Sequence, residues 1–345
     1  MKKEIKTDIH LEYFDSMNWY NESSAPKNVP IIDLKGFNFD SKNNDIEKIK
    51  ATIIECLKNG SGFFYIKNFG IEEAYLSEFL RVTGELFQMP KNEKEKLICP
   101  TLPLRGYTET NKENTALAIN SGDSPDICMK YTWTQNNIYP NIDFKNNWDL
   151  YMDKTRSISR KLLELIRSAL GEDEKNNQLW NNVINGEGMV RHLYYPDIPS
   201  NSEDPLNHNL STNETPLRMG NHSDIGSITL LYQTPCPNGF VSLEAEIDDG
   251  FVGIPAIRNT MVVNIGDTLS IITGGEIKAT KHRVLQSNHQ GSERTATALF
   301  YFPSSDFDLK KIDKTEYQGL IGKINPNTFS DFLNSMSENY CNKNL

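Results

Sequence analysis

Met219 to Gln233 reads MGNHSDIGSITLLYQ and sets His222 and Asp224 one residue apart at the head of an apolar run. Residues two apart on an extended chain project to the same side, so this imidazole and this carboxylate can reach one metal ion. Two ligands leave a divalent first-row metal under-coordinated. The best third candidate is His282 in KATKHRV, delivered by the strand MVVNIG and the turn around Gly274 and Gly275. Two histidines and one carboxylate on one face of an octahedron, with the other face open, suit non-haem Fe(II). The plainer reading of His222 and Asp224 is a hydrogen-bonded loop pair. Among the other histidines, His289 lies in the polar turn SNHQGSE and belongs at the surface. His192, in RHLYY, fits a core or surface position as well as ligation, and His10 and His208 fall in polar, loop-like surroundings.

Arg294 follows His282 by twelve residues and opens RTATALFYF, whose other residues are mostly apolar. An arginine entering such a strand is costly unless it meets an anion, and its fork of donors suits a carboxylate. It either forms a structural salt bridge or anchors an acidic co-substrate whose other end reaches the metal. Arg191 in MVRHLYYP poses the same choice between a substrate carboxylate and a surface pairing, and Arg105 in LRGY sits where a lid residue could touch substrate. The aromatic residues Tyr194, Tyr195, Phe300 and Phe302 fit the core better than a pocket.

The elements that must position these residues change character along the chain. Residues 1–28 read as a polar, loosely packed arm, and Val29 to Leu34 as a short strand. A helix is expected over Asp45 to Leu57, a buried strand over Phe63 to Ile66 and a second helix over about Glu72 to Gln88, ended by Pro90. Arg105 to Pro140 is loop-rich, with RGYTETNKENTA and NSGDSPD before the strand-like ICMKYTW, and a connection this long usually forms part of a site wall. Further helices are expected over Asn147 to Leu170 and Glu174 to Val183. After Gly188, short strands alternate with Gly, Pro, Asn and Asp: MVRHLYYP, SITLLYQ, FVSLEAEI, FVGIPA, MVVNIG, HRVLQS and TATALFYF. That pattern argues for a mainly β fold with flanking helices, a sandwich or jelly roll. Asp248-Asp249-Gly250 reads as a hairpin turn. Thr328 to Tyr340 reads as a helix, with Thr328 and Asp331 at capping-box spacing. The regions are therefore 1–28, a helical part over 29–185, a metal-bearing core over 186–310 and a C-terminal helical segment over 311–345.

The 345 residues can bury a sizeable core, and 37% hydrophobic with 24% charged content is that of a folded chain. A formal net charge of −10 without a Lys/Arg cluster argues against a nucleic-acid groove or an anionic membrane surface as partner. Five scattered cysteines without a CxxC argue against a disulfide framework or a thiolate zinc site, and fit a reducing cytoplasm. The start MKKEIKTDIH carries no apolar run of a secretory signal, and no membrane-length apolar span follows. A small-molecule substrate is the expected partner, with no protein partner implied.

With HSD, the distal His282 and Arg294 in place, the chain resembles the 2-oxoglutarate/Fe(II)-dependent oxygenases of the isopenicillin N synthase-like group. VPIIDL, GSGFFYIKNFGI and RHLYYP resemble that group's N-terminal region. RGYTETNKENTA, PLRMGNHSD, QTPCPNGFVSLEAEI, GGEIKATKHRV and GSERT are most similar to its expandase branch, the deacetoxycephalosporin C synthases. The resemblance runs from about Val29 into the C-terminal helix. It implies a distorted double-stranded β-helix with Fe(II) on His222, Asp224 and His282. It also implies 2-oxoglutarate chelating the iron through its keto-acid end, with its far carboxylate on Arg294, and Met219 and Tyr195 lining that pocket.

Three departures qualify it. The group has Arg-x-Ser, whereas the residue two after Arg294 here is Ala296, and Thr295 faces the other side of the strand. Leu193 replaces the second arginine of the expandase strand, Arg191 keeping the first, and Phe302 stands where that branch has an arginine before proline. Losing cationic partners argues against a penicillin as substrate. The expected activity is oxidation of an unactivated C–H of a small metabolite with O2 and 2-oxoglutarate, as hydroxylation, desaturation or ring formation, in natural-product biosynthesis. An oxidase of the same fold that needs no 2-oxoglutarate, and a metal- or ligand-binding module without turnover, are the alternatives.

Overall fold

The computed structural model describes residues 14–36, 44–99, 105–115, 125–134, 137–172, 177–197, 217–309 and 327–331. Twelve strands among them are β1 (Ile31–Asp33), β2 (Phe63–Lys67), β3 (Gly106–Thr108), β4 (Met129–Trp133), β5 (Glu187–Tyr195) and β6 (Leu217–His222), then β7 (Ile228–Gln233), β8 (Leu243–Ile247), β9 (Gly250–Gly253), β10 (Thr260–Ile265), β11 (His282–Leu285) and β12 (Arg294–Phe302). They form an eight-stranded sheet in the order β1-β2-β10-β7-β12-β5-β4-β3 and a four-stranded sheet in the order β6-β11-β8-β9. The two sheets face each other as the double-stranded β-helix, or jelly roll, that the strand pattern and the resemblance imply.

Strand parity explains the layering. Phe63 and Tyr65 of β2, Leu193 and Tyr195 of β5, Val262 of β10 and Ala296 of β12 point inward with Leu243, Ala245 and Val284 of the smaller sheet. The alternate residues Phe64, Ile66, Val190, Leu230, Tyr232, Val263, Leu299 and Tyr301 point outward. There they meet Phe79, Trp148, Tyr151, Leu162, Leu163 and Ile166 from the helices Glu73–Gln88 and Ile142–Ala169. Fully burying one such large side chain contributes on the order of 1.5–3 kcal/mol. This outer layer fixes the curvature of the large sheet and so the spacing of the inward residues.

The helix expected over Asp45 to Leu57 spans Asn44–Ile54 and then widens into a π-turn over Glu55–Asn59. The one expected from Asn147 begins at Ile142, because Asn141 caps it by accepting a hydrogen bond from the Phe144 amide at 2.9 Å. Asp248 and Asp249 both have positive φ, as a two-residue type I′ turn between β8 and β9 requires. Thr328 and Asp331 exchange the reciprocal hydrogen bonds of a capping box, at 3.0 and 3.1 Å; the rest of that helix lies outside the described residues. The N-terminal region differs from expectation. Phe14 is fully buried between Trp19 and Tyr232, so this stretch is docked on the helical side rather than loosely packed. Phe14 and Trp19 hold it there, and Tyr20 pairs with Ile257 beside them. Among the described residues, no helix is long and apolar enough to cross a membrane.

Candidate metal and co-substrate site

His222 ends β6 and His282 opens β11, and the two are direct partners in the antiparallel pairing of these strands. Asp224 lies in the turn that leads from β6 to β7. The Asp224 Oδ1 atom is 3.9 Å from His222 Nε2 and 3.7 Å from His282 Nε2, and all three side chains are buried. One ligand atom from each falls within 4.8 Å of the others, a spacing that could hold a metal ion.

The surroundings fix what each donor offers. His222 Nδ1 lies 2.8 Å from the Gly220 carbonyl and His282 Nδ1 3.2 Å from that of Thr280. A carbonyl only accepts, so each Nδ1 carries the proton and each Nε2 turns its lone pair toward Asp224. Burial, reinforced by the neighbouring His282, pushes His222 down to about 4, which keeps it neutral and able to ligate. Burial pushes the Asp224 carboxyl up, but His282, His222 and hydrogen bonds from Asn264 and Thr229 outweigh it and hold the carboxyl below its ordinary range. Thr229 Oγ1 and Asn264 Nδ2 both donate to Asp224 Oδ2, at 2.6 and 2.8 Å, leaving Oδ1 for the metal. Phe63 packs edge-on against the His282 ring, with centroids 5.6 Å apart.

A cavity of about 140 Å³ opens beside these groups. Its wall follows strand parity: Met189, Arg191, Leu193 and Tyr195 of β5, and Arg294, Ala296, Ala298, Phe300 and Phe302 of β12. Arg294 is buried, its Nη2 donates to Gln233 Oε1 at 2.7 Å, and its guanidinium sits 5.2 Å from the Tyr195 ring centroid. Its Nη1 is also buried and has no partner among the described residues. Among the described residues, no carboxylate pairs with it. A buried, uncompensated guanidinium with one free donor is the chemistry expected where an acidic ligand belongs.

Arg191 differs. Its Nη1 donates to Glu113 at 2.9 Å and its Nε to Thr132 at 3.0 Å. Lys130 joins them, 2.7 Å from Glu113 and 2.6 Å from Asp126, and all four charged groups are buried. Burial pushes Glu113 up, but Arg191 and Lys130 outweigh it and bring the carboxyl down to about 2. Two acids and two bases thus balance behind the cavity wall, where only Arg191 reaches the lining. Met219 and Tyr195 line the cavity, whereas Arg105, just before β3, is not among the lining residues. His192 points outward to Thr297, at 2.7 Å from its Oγ1, beside Phe87, and takes no part in the site. His289 is exposed, as expected, and His10 and His208 lie outside the described residues. Tyr195 and Phe302 are buried in the core, as expected, with Phe300 packed against it, and all three also form cavity wall.

Sequence reasoning missed Thr229, Asn264 and Gln233. The available signal was a polar residue at inward parity in an apolar strand, as in ITLLYQ and MVVNIG. It also missed Arg218, which is fully buried and donates to the Ser292 carbonyl at 2.7 Å and that of Pro196 at 2.8 Å. Arg218 thereby ties β6 to the loop preceding Arg294.

Residues 186–303 match the 2OG-Fe(II) oxygenase superfamily, and residues 29–150 match the N-terminal region described as non-haem dioxygenase in morphine synthesis. Deacetoxycephalosporin C synthase of Amycolatopsis lactamdurans is 31% identical over 73% of this chain and 79% of its own length. Deacetoxycephalosporin C hydroxylase of Streptomyces clavuligerus is 27% identical over 88% of this chain and 93% of its own. The crystal structure of full-length Neurospora crassa T7H with alpha-KG and 5-formyluracil superposes with a TM-score of 0.69 at 23% identity, covering 92% of this chain and 98% of that one. The chain belongs to the 2OG-Fe(II) oxygenases. It is an oxidoreductase, a dioxygenase whose cofactor is Fe(II) and whose co-substrates are 2-oxoglutarate and O2. Neither alternative, the oxidase without 2-oxoglutarate or the module without turnover, gains support.

Proposed function

We propose that His222, Asp224 and His282 hold the iron, and that 2-oxoglutarate binds with its far carboxylate on Arg294 in a pocket lined by Met219 and Tyr195. The enzyme then oxidises an unactivated C–H of a small, largely apolar metabolite. The observation that carries this is the free Nη1 of buried Arg294 in the same cavity as the three candidate ligands. When bound, iron and 2-oxoglutarate supply the oxidising power, with O2 consumed and succinate and CO2 released. The protein's contribution is to hold the donors at fixed spacing, orient the substrate carbon and keep water out of an apolar enclosure.

The walls speak to the substrate. Arg191 is already matched by Glu113, and Leu193 and Phe302 stand where the expandase branch carries arginines. These features support a substrate end without a net charge there, unlike a penicillin, while the unpartnered Nη2 of Arg191 leaves one donor for a polar group. The two cephalosporin-named relatives support a place in natural-product biosynthesis, antibiotic formation included. Hydroxylation, desaturation and ring formation are all compatible with this wall.

Anaerobic titration of the Fe(II)-loaded protein with 2-oxoglutarate tests the first part. A visible metal-to-ligand charge-transfer band is expected for the native chain and should weaken strongly for Arg294→Met. A native protein that takes up iron but develops no band would overturn the co-substrate assignment. Succinate release stimulated by individual members of a metabolite panel then identifies the substrate.

A further inference from the structure

Gln233 closes β7 directly opposite Ala296 of β12 and is buried. Its Nε2 donates to the Ile254 carbonyl at 3.0 Å. A carbonyl cannot donate, so the amide orientation is determined, and Oε1 must face Arg294, whose Nη2 it receives at 2.7 Å. Arg294 is thus gripped by one tooth of its fork while Nη1 stays unpartnered. The gripping atom is neutral. A carboxylate in its place would hold the guanidinium equally well but would cancel the charge that an acidic ligand needs. The side chain of Ala296, across the strand pair, offers no polar atom that could do this work.

We propose that Gln233 is a positioning residue for co-substrate binding: it aims Arg294 at the far carboxylate of 2-oxoglutarate while leaving the arginine's full positive charge available. This rests on Arg294 being the carboxylate anchor. Gln233 does not line the cavity, so it acts through the arginine rather than by touching the ligand. Its removal should therefore weaken only ligands that use the arginine.

Two 2-oxo acids separate these effects. 2-Oxoglutarate and 2-oxobutyrate share the keto-acid end, but only the first has a far carboxylate. Each is titrated into the full-length Fe(II) protein without oxygen, following the charge-transfer absorption. The native protein should prefer 2-oxoglutarate; if it binds both equally, the Arg294 assignment itself is wrong. Gln233→Leu should weaken 2-oxoglutarate about ten- to hundredfold, the range for losing a hydrogen bond to a charged group, with 2-oxobutyrate unchanged. The near-isosteric Gln233→Glu, which keeps the packing, should lose the preference more completely because the new carboxylate occupies Arg294. Retention of the native preference in both variants overturns the proposal. So does an equal loss for both acids, which would mark Gln233 as a general packing residue.

Discussion

His222 and His282 face each other across the pairing of β6 with β11, their ring centroids 4.3 Å apart. Two candidate ligands therefore sit on neighbouring strands of one sheet, and only Asp224 comes from a turn. A sheet-borne pair is already held at the spacing an ion requires, so metal binding reorganises little.

Metal binding should accordingly appear as stability. With Fe(II) under anaerobic conditions at a hundredfold excess over Kd, unfolding should cost about 2.7 kcal/mol more than for the apo protein. His282→Ala should abolish that increment while leaving apo stability close to native. Thermal melts with and without metal measure both; a variant that keeps the full increment would remove His282 from the ligand set.

Asp224 owes its orientation to two donors on different strands, Thr229 on β7 and Asn264 on β10. Asn264→Ala frees the carboxylate to rotate and leaves Oδ2 with a single partner. Iron affinity should drop about 10- to 100-fold, the usual effect of removing a group that orients a ligand. Competition with a chelator of known affinity reads this directly, and unchanged affinity would mean that the turn alone holds Asp224.

Much of this site was visible in the amino-acid order because strand parity is local. MVRHLYYP and RTATALFYF were both read as strands, with Arg191 and Arg294 as the charged residues that needed a partner. The β6 strand, LRMGNH, was not recognised as one: Gly220 and Asn221 disfavour strands, and it forms because β11 needs a partner. The partner of Arg191 was invisible for a different reason. Glu113 is 78 residues away in a loop, and only the packing of β4 against β5 brings Lys130 and Arg191 to it. Sequence shows that a buried charge needs a partner, but not which of many acids supplies it.

That network makes Glu113→Gln costly. The change leaves Arg191 and Lys130 facing one remaining carboxylate in a buried site, and breaking such a pair costs about 3–5 kcal/mol. Because the folded carboxyl is held at about 2, Glu113 contributes stability that is fully present above the ordinary 4.5 and is lost as pH falls toward 2. Denaturant melts across that window should show a steeper acid dependence for the native chain than for Glu113→Gln. Parallel curves would show that folding leaves the Glu113 carboxyl unshifted.

His192 gives an acid dependence in a higher window. Burial pushes it down to about 3 from an ordinary 6.5, so the folded chain keeps it neutral where the unfolded chain protonates it. Stability should therefore fall as pH drops from 6.5 toward 3, by up to about 1.4 kcal/mol per pH unit. His192→Gln does not titrate, and it should flatten that slope while leaving iron binding intact, because the side chain faces Thr297 and Phe87 rather than the cavity. A slope identical to the native one would assign the acid lability elsewhere.

Gly266 tests how tightly the metal turn is braced from behind. Its φ of −100° suits any residue, so backbone conformation does not require glycine here. Space does: an added Cβ would lie 2.2 Å from the Gly226 carbonyl oxygen and 3.0 Å from that of Asp224. The backbone of Asp267 also donates to the Asp224 carbonyl at 2.7 Å, and Gly266 N to that of Ser227 at 3.0 Å. Backbone atoms cannot swing aside as a flexible side chain can, so Gly266→Ala must push the 224–227 turn away from β10. Thr229 and Asn264 stay on their strands while Asp224 moves, which stretches the hydrogen bonds that aim its carboxylate. Iron affinity should therefore fall by at least as much as for Asn264→Ala, together with a loss of stability in the apo protein. If affinity stays native while stability alone falls, the strain is absorbed within the Gly266 loop and Asp224 does not depend on it.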